Sequence, residues 1–228
     1  DVEMFLRDAE ISYSTGYGMT ETAPILTINP FGKVKVGSCG QAIPNVDIKI
    51  SDPNPDTGIG EILVKGPNVM QGYFNNEQAT QEVLLEDGWL RTGDLGYLDE
   101  ENYLFIKGRS KNVIIGPSGE NIFPENVEQV LTQNIYIQEV VVYDEDQKLI
   151  AKAYMDYDAL DAELEGDVKN DAKAGEQKLE ILEKIRQEVN EQLPQFSRIS
   201  KIIEHPDVFE KTPTNKVKRY LYIPQKSE

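Results

Sequence analysis

The chain has one cysteine, one histidine and one tryptophan among its 228 residues. A single cysteine, Cys39, excludes an intramolecular disulfide and a cysteine-based zinc cluster, and points to a reducing compartment. The only imidazole, His205, lies far from Cys39 in sequence, so Cys39 is expected as a small buried apolar residue rather than a nucleophile. His205, within "IIEHPDVF", is expected at the surface end of a strand. Basic side chains are also in short supply: 23 Lys and Arg face 40 Asp and Glu, a formal charge of −17. Such a balance opposes attraction to nucleic acid or an anionic membrane unless a local basic patch overrides it. No nucleic-acid partner is expected. No apolar run approaches the length of a membrane span, and the first residues lack a charged head followed by a hydrophobic segment. The expected location is the cytoplasm, with peripheral contact to a membrane left open.

What is present suits a folded chain. With 39% apolar and 8% aromatic residues, the length accommodates one large domain or two ordinary ones. The opening "DVEMFLRDAE" reads as the middle of a helix, as in an excised piece of something longer. From there to about Lys107, short strand signals alternate with Gly, Pro and Asn turns: "VDIKI", "PNPDTGIG", "EILVKG". One helix is expected at "NEQATQEVLL", where Asn76 can cap and Ala79, Val83 and Leu84 share a face. A second organisation begins near "GRSKNVIIGPSGENIF". It continues into a helix at "PENVEQVLTQ", with Pro124 in the first turn and Val127, Val130 and Leu131 on one face. "QEVVVYD", "KLIAKAYM" and "SKIIEH" read as strands. The charged stretch "DYDALDAELEGDVKNDAKAGEQ" reads as a solvated loop or irregular helix. Leu182, Ile185 and Val189 form the apolar stripe of a further helix that Pro194 ends. The expected fold is α+β: a β-rich distorted-barrel subdomain over 1–109, then a small α+β lid over 110–228.

Four stretches set polar residues among glycines: "STGYGMTETAP" at 14–24, "GWLRTGDLGYL" at 88–98, "GRSKNVIIGPSGENIFP" at 108–124 and "KTPTNKVKRY" at 211–220. The first looks like a phosphate cradle, yet no lysine follows its glycines as it does in a G-x-x-x-x-G-K-[ST] loop. Singly, each has a plain structural reading. "TGD" can be a turn in which Asp94 satisfies nearby backbone donors, and "KVKR" a solvated basic tail. Together and in this order, from Ser14 to about Tyr220, they resemble the C-terminal part of the adenylate-forming acyl-CoA synthetase superfamily. Within it, "DGWLRTGDLGYLDEENYLFIKGRSKNVI", "GENIFPENVE" and "TPTNKVKR" look most like bacterial long-chain fatty acid CoA ligases.

The resemblance implies a two-step ligation that uses ATP, Mg2+ and coenzyme A. A carboxylate, here expected to be a fatty acid, attacks the α-phosphate of ATP and releases pyrophosphate; the thiol of CoA then displaces AMP from the acyl-adenylate. By the same resemblance, Gly16, Tyr17, Gly18 and Met19 line the nucleotide, with Tyr17 against the adenine face. Thr20 sits on the phosphates and Glu21 helps to hold the magnesium ion, an oxygen donor suited to a hard cation. Asp94 matches the aspartate on the ribose hydroxyls, since two carboxylate oxygens can accept from a vicinal diol. Arg109 matches an arginine that contacts the nucleotide. Lys216 matches the lysine that brings positive charge to the α-phosphate during adenylation. Many relatives have glycine before that lysine, where this chain has Asn215, a residue tolerant of left-handed backbone. Lys111 falls at the point about which the lid turns between half-reactions; its plain reading is an exposed surface lysine. Gly119 would approach the pantetheine channel after that turn.

Family members carry a Ser/Thr/Gly-rich phosphate loop ending in Pro-Lys-Gly, and most of the acid pocket, before the first of these stretches. Nothing like that loop occurs here, so the chain is expected to be a C-terminal fragment, inactive alone. Two other readings stand beside ligation. A peptide-synthetase adenylation domain would hand its acyl group to a carrier with a modified serine, and the sequence stops at "YIPQKSE" without one. A non-catalytic nucleotide-binding module would not need Glu21, Asp94, Arg109 and Lys216 all to be the residue types the chemistry requires.

Overall fold

The computed structural model describes residues 2–164, 172–213 and 215–224, without the side chains of 172–175. The chain folds as two compact units, Asp1–Lys111 and Asn112–Glu228.

The first unit opens with a short helix, α1 (Val2–Asp8), followed by three short antiparallel strands, β1 (Gly16–Gly18), β2 (Ile25–Ile28) and β3 (Gln41–Ala42). Then comes a four-stranded antiparallel meander of β4 (Asp47–Ser51), β5 (Gly60–Lys65), β6 (Leu90–Leu98) and β7 (Leu104–Arg109). The turn between β4 and β5 uses the expected "PNPDTGIG": Asn54 Oδ1 accepts from the amides of Asp56 and Thr57, and Gly58 takes φ +69. In β5, Ile62, Leu63 and Val64 are all buried, so this central strand is covered on both faces. Leu26, Val46, Leu90 and Leu104 complete the core with it. Helix α2 (Glu77–Val83) lies between β5 and β6, capped by Asn76 Oδ1, which accepts from the Ala79 amide at 3.1 Å.

The sheets are not closed into the distorted barrel expected from the alternating pattern. Leu104 trades two backbone bonds with Cys39 and Gly40, at 2.8 and 2.9 Å, and so brings β7 to the segment before β3. Among the described residues, β4 pairs only with β5 and β1 only with β2, leaving both as edges. Strands of two and three residues, such as β3 and β1, are too short to carry a continuous ladder round a barrel. Cys39 is half-buried rather than buried, and burial pushes its thiol pKa up, away from the thiolate form that a nucleophile needs.

The second unit begins with a hairpin of β8 (Ile114–Ile115) and β9 (Asn121–Ile122) and the helix α3 (Pro124–Leu131), whose Val127 and Leu131 are buried. A three-stranded sheet follows in the order β10 (Ile137–Glu145), β11 (Lys148–Met155), β12 (Ile199–Glu204). The β10–β11 pair is an antiparallel hairpin; β12 returns parallel to β11, which requires a crossover. Among the described residues two helices make it, α4 (Tyr157–Leu164) and α5 (Ala172–Gln192). The stretch expected as loop or irregular helix is therefore helical over Tyr157–Leu164 and again over 172–177, the start of α5, and 165–171 of it lie outside the described residues. Asp156 accepts from the Ala159 amide at 3.0 Å, capping α4, and Leu160 is fully buried. One buried leucine and one cap suffice where charge density alone suggested solvent. Leu182, Ile185 and Val189 are buried along α5, which stops two residues before Pro194. His205 follows β12 and stacks on Phe209, ring centroids 4.7 Å apart. No helix among the described residues is long and apolar enough to cross a membrane.

Candidate active site

In the first unit, β1 and the 3-10 turn Thr20–Thr22 hold "GYGMTET" against β2. The glycines serve this approach: a Cβ on Gly16 would stand 2.7 Å from the Thr27 carbonyl oxygen, and one on Gly18 would overlap the Pro24 carbonyl. They are thus required by packing within the chain, ahead of any ligand. Met19 packs against the core. The two threonines of the turn divide their tasks. Thr22 is buried, with its hydroxyl 3.0 Å from the carbonyls of Met19 and Pro24, whereas Thr20 is exposed and able to meet a ligand.

Tyr17, Asp94 and Arg109 come together although they lie on three strands. The Tyr17 phenol donates to Asp94 Oδ2 at 2.5 Å, and Arg109 Nε lies 2.8 Å from Asp94 Oδ1. Asp94 and Arg109 are cross-strand partners in the β6–β7 register. Asp94 is 7% exposed and sits inside β6, where the sequence suggested a turn. A bulge explains the difference: Gly93 takes φ +71, the β5–β6 register shifts between Glu61 and Leu63, and Thr92 Oγ1 donates to the Ile62 carbonyl while accepting from the Asp94 amide. The bulge keeps Asp94 in the strand while re-aiming its carboxylate. Burial and the adjacent Asp94 charge push the Tyr17 phenol well above the ordinary tyrosine range, so it remains a donor.

Glu21 is held by a residue that the sequence did not single out. Tyr73 donates to Glu21 Oε1 at 2.9 Å, and the Met70 amide donates to the Glu21 carbonyl at 2.8 Å. Asn68 Nδ2 ties the same turn by donating to the carbonyls of Thr22 and Ile25 at 2.8 and 2.9 Å. Tyr73 and Asn68 belong to "GPNVMQGYF", in which Asn68 lies between Gly66 and Gly72 and Tyr73 directly follows the second; those glycines are its only local signal. Among the described residues no group of three or more His, Cys, Asp or Glu could hold a metal ion. A lone carboxylate fits a magnesium ion whose other donors are phosphate oxygens and water, and Tyr73 engages only one of Glu21's two oxygens.

Lys111 is exposed in the 3-10 turn Ser110–Asn112. Gly119, at the tip of the β8–β9 hairpin, has φ +88 and nothing within 4 Å of where a Cβ would stand, so its conformation, not crowding by this chain, calls for glycine. Lys216 belongs to the second unit, exposed at a tight turn in which Asn215 takes φ +63. The left-handed position that glycine would occupy is thus occupied by asparagine. Thr214 of the same motif lies outside the described residues.

A family profile described as "AMP-binding enzyme" matches residues 1–74. The chain is 45% identical over 132 residues to "Probable 4-coumarate--CoA ligase 3" of Dictyostelium discoideum, a match covering 56% of this chain and 24% of that protein. It is 45% identical over 135 residues to "Long-chain-fatty-acid--CoA ligase" of Bacillus subtilis, covering 56% and 23%. Among solved structures, O-succinylbenzoate Coenzyme A Synthetase from Bacillus subtilis in complex with AMP matches with a TM-score of 0.74 and 30% identity, over 96% of this chain and 42% of that one. The same enzyme is matched in its complex with ATP and magnesium ion. The chain therefore spans about a quarter of the length of these curated relatives. At the level of family it matches the AMP-binding, adenylate-forming acyl-CoA ligases, and its mixed α/β fold matches the C-terminal region of such enzymes.

Proposed function

We propose that these residues serve an ATP-dependent acid–thiol ligase as the last part of its nucleotide site and a mobile lid. The observation that carries this reading is the Tyr17–Asp94–Arg109 constellation, a buried carboxylate flanked by an aromatic ring and a guanidinium, in a chain whose structural neighbour binds AMP. Asp94 accepts from the ribose hydroxyls; each of its oxygens has a second lone pair beyond those used by Tyr17 and Arg109. The Tyr17 ring, oriented by its phenol, lies against adenine. Thr20 donates to phosphate. Glu21, held by Tyr73, is the protein's ligand to magnesium, which when bound offsets phosphate charge.

In the first step a carboxylate oxygen of the acid bonds to the α-phosphorus as the bond to pyrophosphate breaks. Lys216 places an ammonium where negative charge develops. In the second, the CoA sulfur bonds to the acyl carbon, AMP departs and the thiol proton is lost to solvent. The lid turns about Lys111 between the steps, which withdraws Lys216 and presents the Gly119 hairpin to the pantetheine arm. A domain division at 109/110, two residues ahead of where the described units part, the Pro-Lys-Gly phosphate loop outside these residues, and a cytoplasmic setting complete the reading. The 228 residues alone are inactive on this reading.

A long-chain fatty acid is the acid favoured by the motif likeness, while coumarate and succinylbenzoate ligases match as well. Pyrophosphate release by the full-length protein, followed across fatty acids of graded length, 4-coumarate and 2-succinylbenzoate with CoA present, tests this. Turnover with fatty acids supports the reading; none with any acid, despite nucleotide binding, favours the non-catalytic module.

A further inference from the structure

The tip that carries Lys216 is pinned at both legs. Across it, the Thr212 amide donates to the Lys216 carbonyl at 2.8 Å, the Lys216 amide donates to Thr212 Oγ1 at 3.2 Å, and Lys211 bridges to Val217. On the incoming leg, Lys211 pairs with Glu139 of β10, and the Phe209 amide donates to the same carboxylate at 3.2 Å. On the outgoing leg, Arg219 Nη1 meets both oxygens of Glu128, on α3, at 2.6 and 2.8 Å, while its Nη2 donates to the Val142 carbonyl at 2.7 Å. Glu128 Oε1 also accepts from the Val142 amide at 2.6 Å.

Val142 explains the arrangement. It lies in β10, an edge strand, so a backbone face that no strand covers must find other partners. Arg219 and Glu128 take its carbonyl and its amide, one each. Their side chains are 17% and 15% exposed. Burial pushes the Glu128 carboxyl up, with Arg219 opposing it. A buried ion pair is a costly means of stabilising a fold compared with apolar packing of similar volume; its distinctive yield is fixed geometry. A two-pronged guanidinium across one carboxylate and one carbonyl sets direction as well as distance. One turn earlier on α3, Glu125 Oε1 accepts from Asn112 Nδ2 at 2.5 Å, so the helix that holds the tail also holds the first residue of this unit.

We propose that Arg219, clamped by Glu128 and Val142, is the positioning residue that aims Lys216, so that the lysine moves with α3 and the start of the unit as one body. The inference rests on the reading of Lys216 as the adenylation lysine. Its anchoring part can be measured without that reading.

The test uses the double variant E128M/R219M, which removes both charges and leaves neither buried alone. In the 228-residue chain, amide exchange over 212–218 should rise roughly tenfold or more, together with that of the Val142 amide that loses Glu128, while β11 and the rest of β10 stay unchanged. In the full-length protein, acyl-adenylate formation should fall roughly tenfold or more, with thioester formation from supplied acyl-adenylate kept within about twofold. Unchanged hairpin exchange, or equal loss of both half-reactions, overturns the proposal. Should the double variant not fold, R219K is judged by the same criteria, because a lysine keeps the charge but lacks the planar fork that meets Glu128 and the Val142 carbonyl from two nitrogens. K216A is run alongside. If K216A keeps adenylation, it is the reading of Lys216 that falls, and the exchange comparison alone decides the anchoring.

Discussion

The phenol of Tyr17 donates to Asp94 at 2.5 Å across 77 residues of sequence, and so links the first glycine-rich stretch to the second inside one unit. That bond orients the ring proposed to meet adenine and the carboxylate proposed to meet ribose. Tyr17→Phe removes it while keeping the ring. The loss of about 1 kcal/mol should raise the KM for ATP roughly fivefold in the full-length protein with kcat little changed. An unchanged KM would place adenine elsewhere.

The same bond makes a prediction in alkali for the 228-residue chain. Above the ordinary tyrosine range, about pH 10, an unfolded chain sheds the phenolic proton while the folded one keeps Tyr17 protonated. The folded state then binds more protons, so stability falls as pH rises. Urea melts between roughly pH 9.5 and 11 should show a shallower decline for Tyr17→Phe than for the parent chain. Identical slopes would contradict a phenol held by burial and Asp94.

Two glycines separate crowding from conformation. Gly18→Ala drives a Cβ into the Pro24 carbonyl and should destabilise by more than about 2 kcal/mol. Gly119→Ala meets open space and bears only the strain of φ +88, about 1 kcal/mol. Denaturant melts of the two variants check the order; the reverse order would contradict the packing of β1 on β2.

Tyr73 is the partner of Glu21, so Tyr73→Phe should loosen that carboxylate without unfolding the chain. The magnesium concentration for half-maximal pyrophosphate release should rise roughly threefold to tenfold, with fold stability changed by less than about 1 kcal/mol. No change in magnesium dependence would remove Glu21 from the metal's surroundings.

Proline at Lys111 tests the turn Ser110–Asn112 as a pivot. Lys111→Pro should leave adenylation within a few-fold and cut thioester formation roughly a hundredfold in the full-length protein. Thioester formation at the parent rate would dismiss the pivot.

Local features were the legible ones. The Asn76 cap, the Asn54 turn and the Leu182–Ile185–Val189 stripe are set by residues within a turn or two of one another, and the structure has them as the pattern implies. The chemistry that depends on distant pairing was not legible. "TGD" reads as a turn because Gly93 and Asp94 favour turns; only the ladder with β5 and β7 shows it to be a bulge in a strand. Tyr73 and Glu21 are 52 residues apart, and Arg219 and Glu128 are 91. No spacing in the sequence announces such pairs. The barrel failed for a related reason: alternation predicts strands, while closure depends on which edges meet.

The central claim is that Lys216 serves the first half-reaction and not the second. In the full-length protein, acid-dependent exchange of pyrophosphate into ATP and conversion of supplied acyl-adenylate to thioester are measured for the parent and Lys216→Ala. The account predicts that exchange falls roughly a hundredfold or more while thioester formation stays within about threefold. Equal loss of both, or exchange at the parent rate, would contradict it.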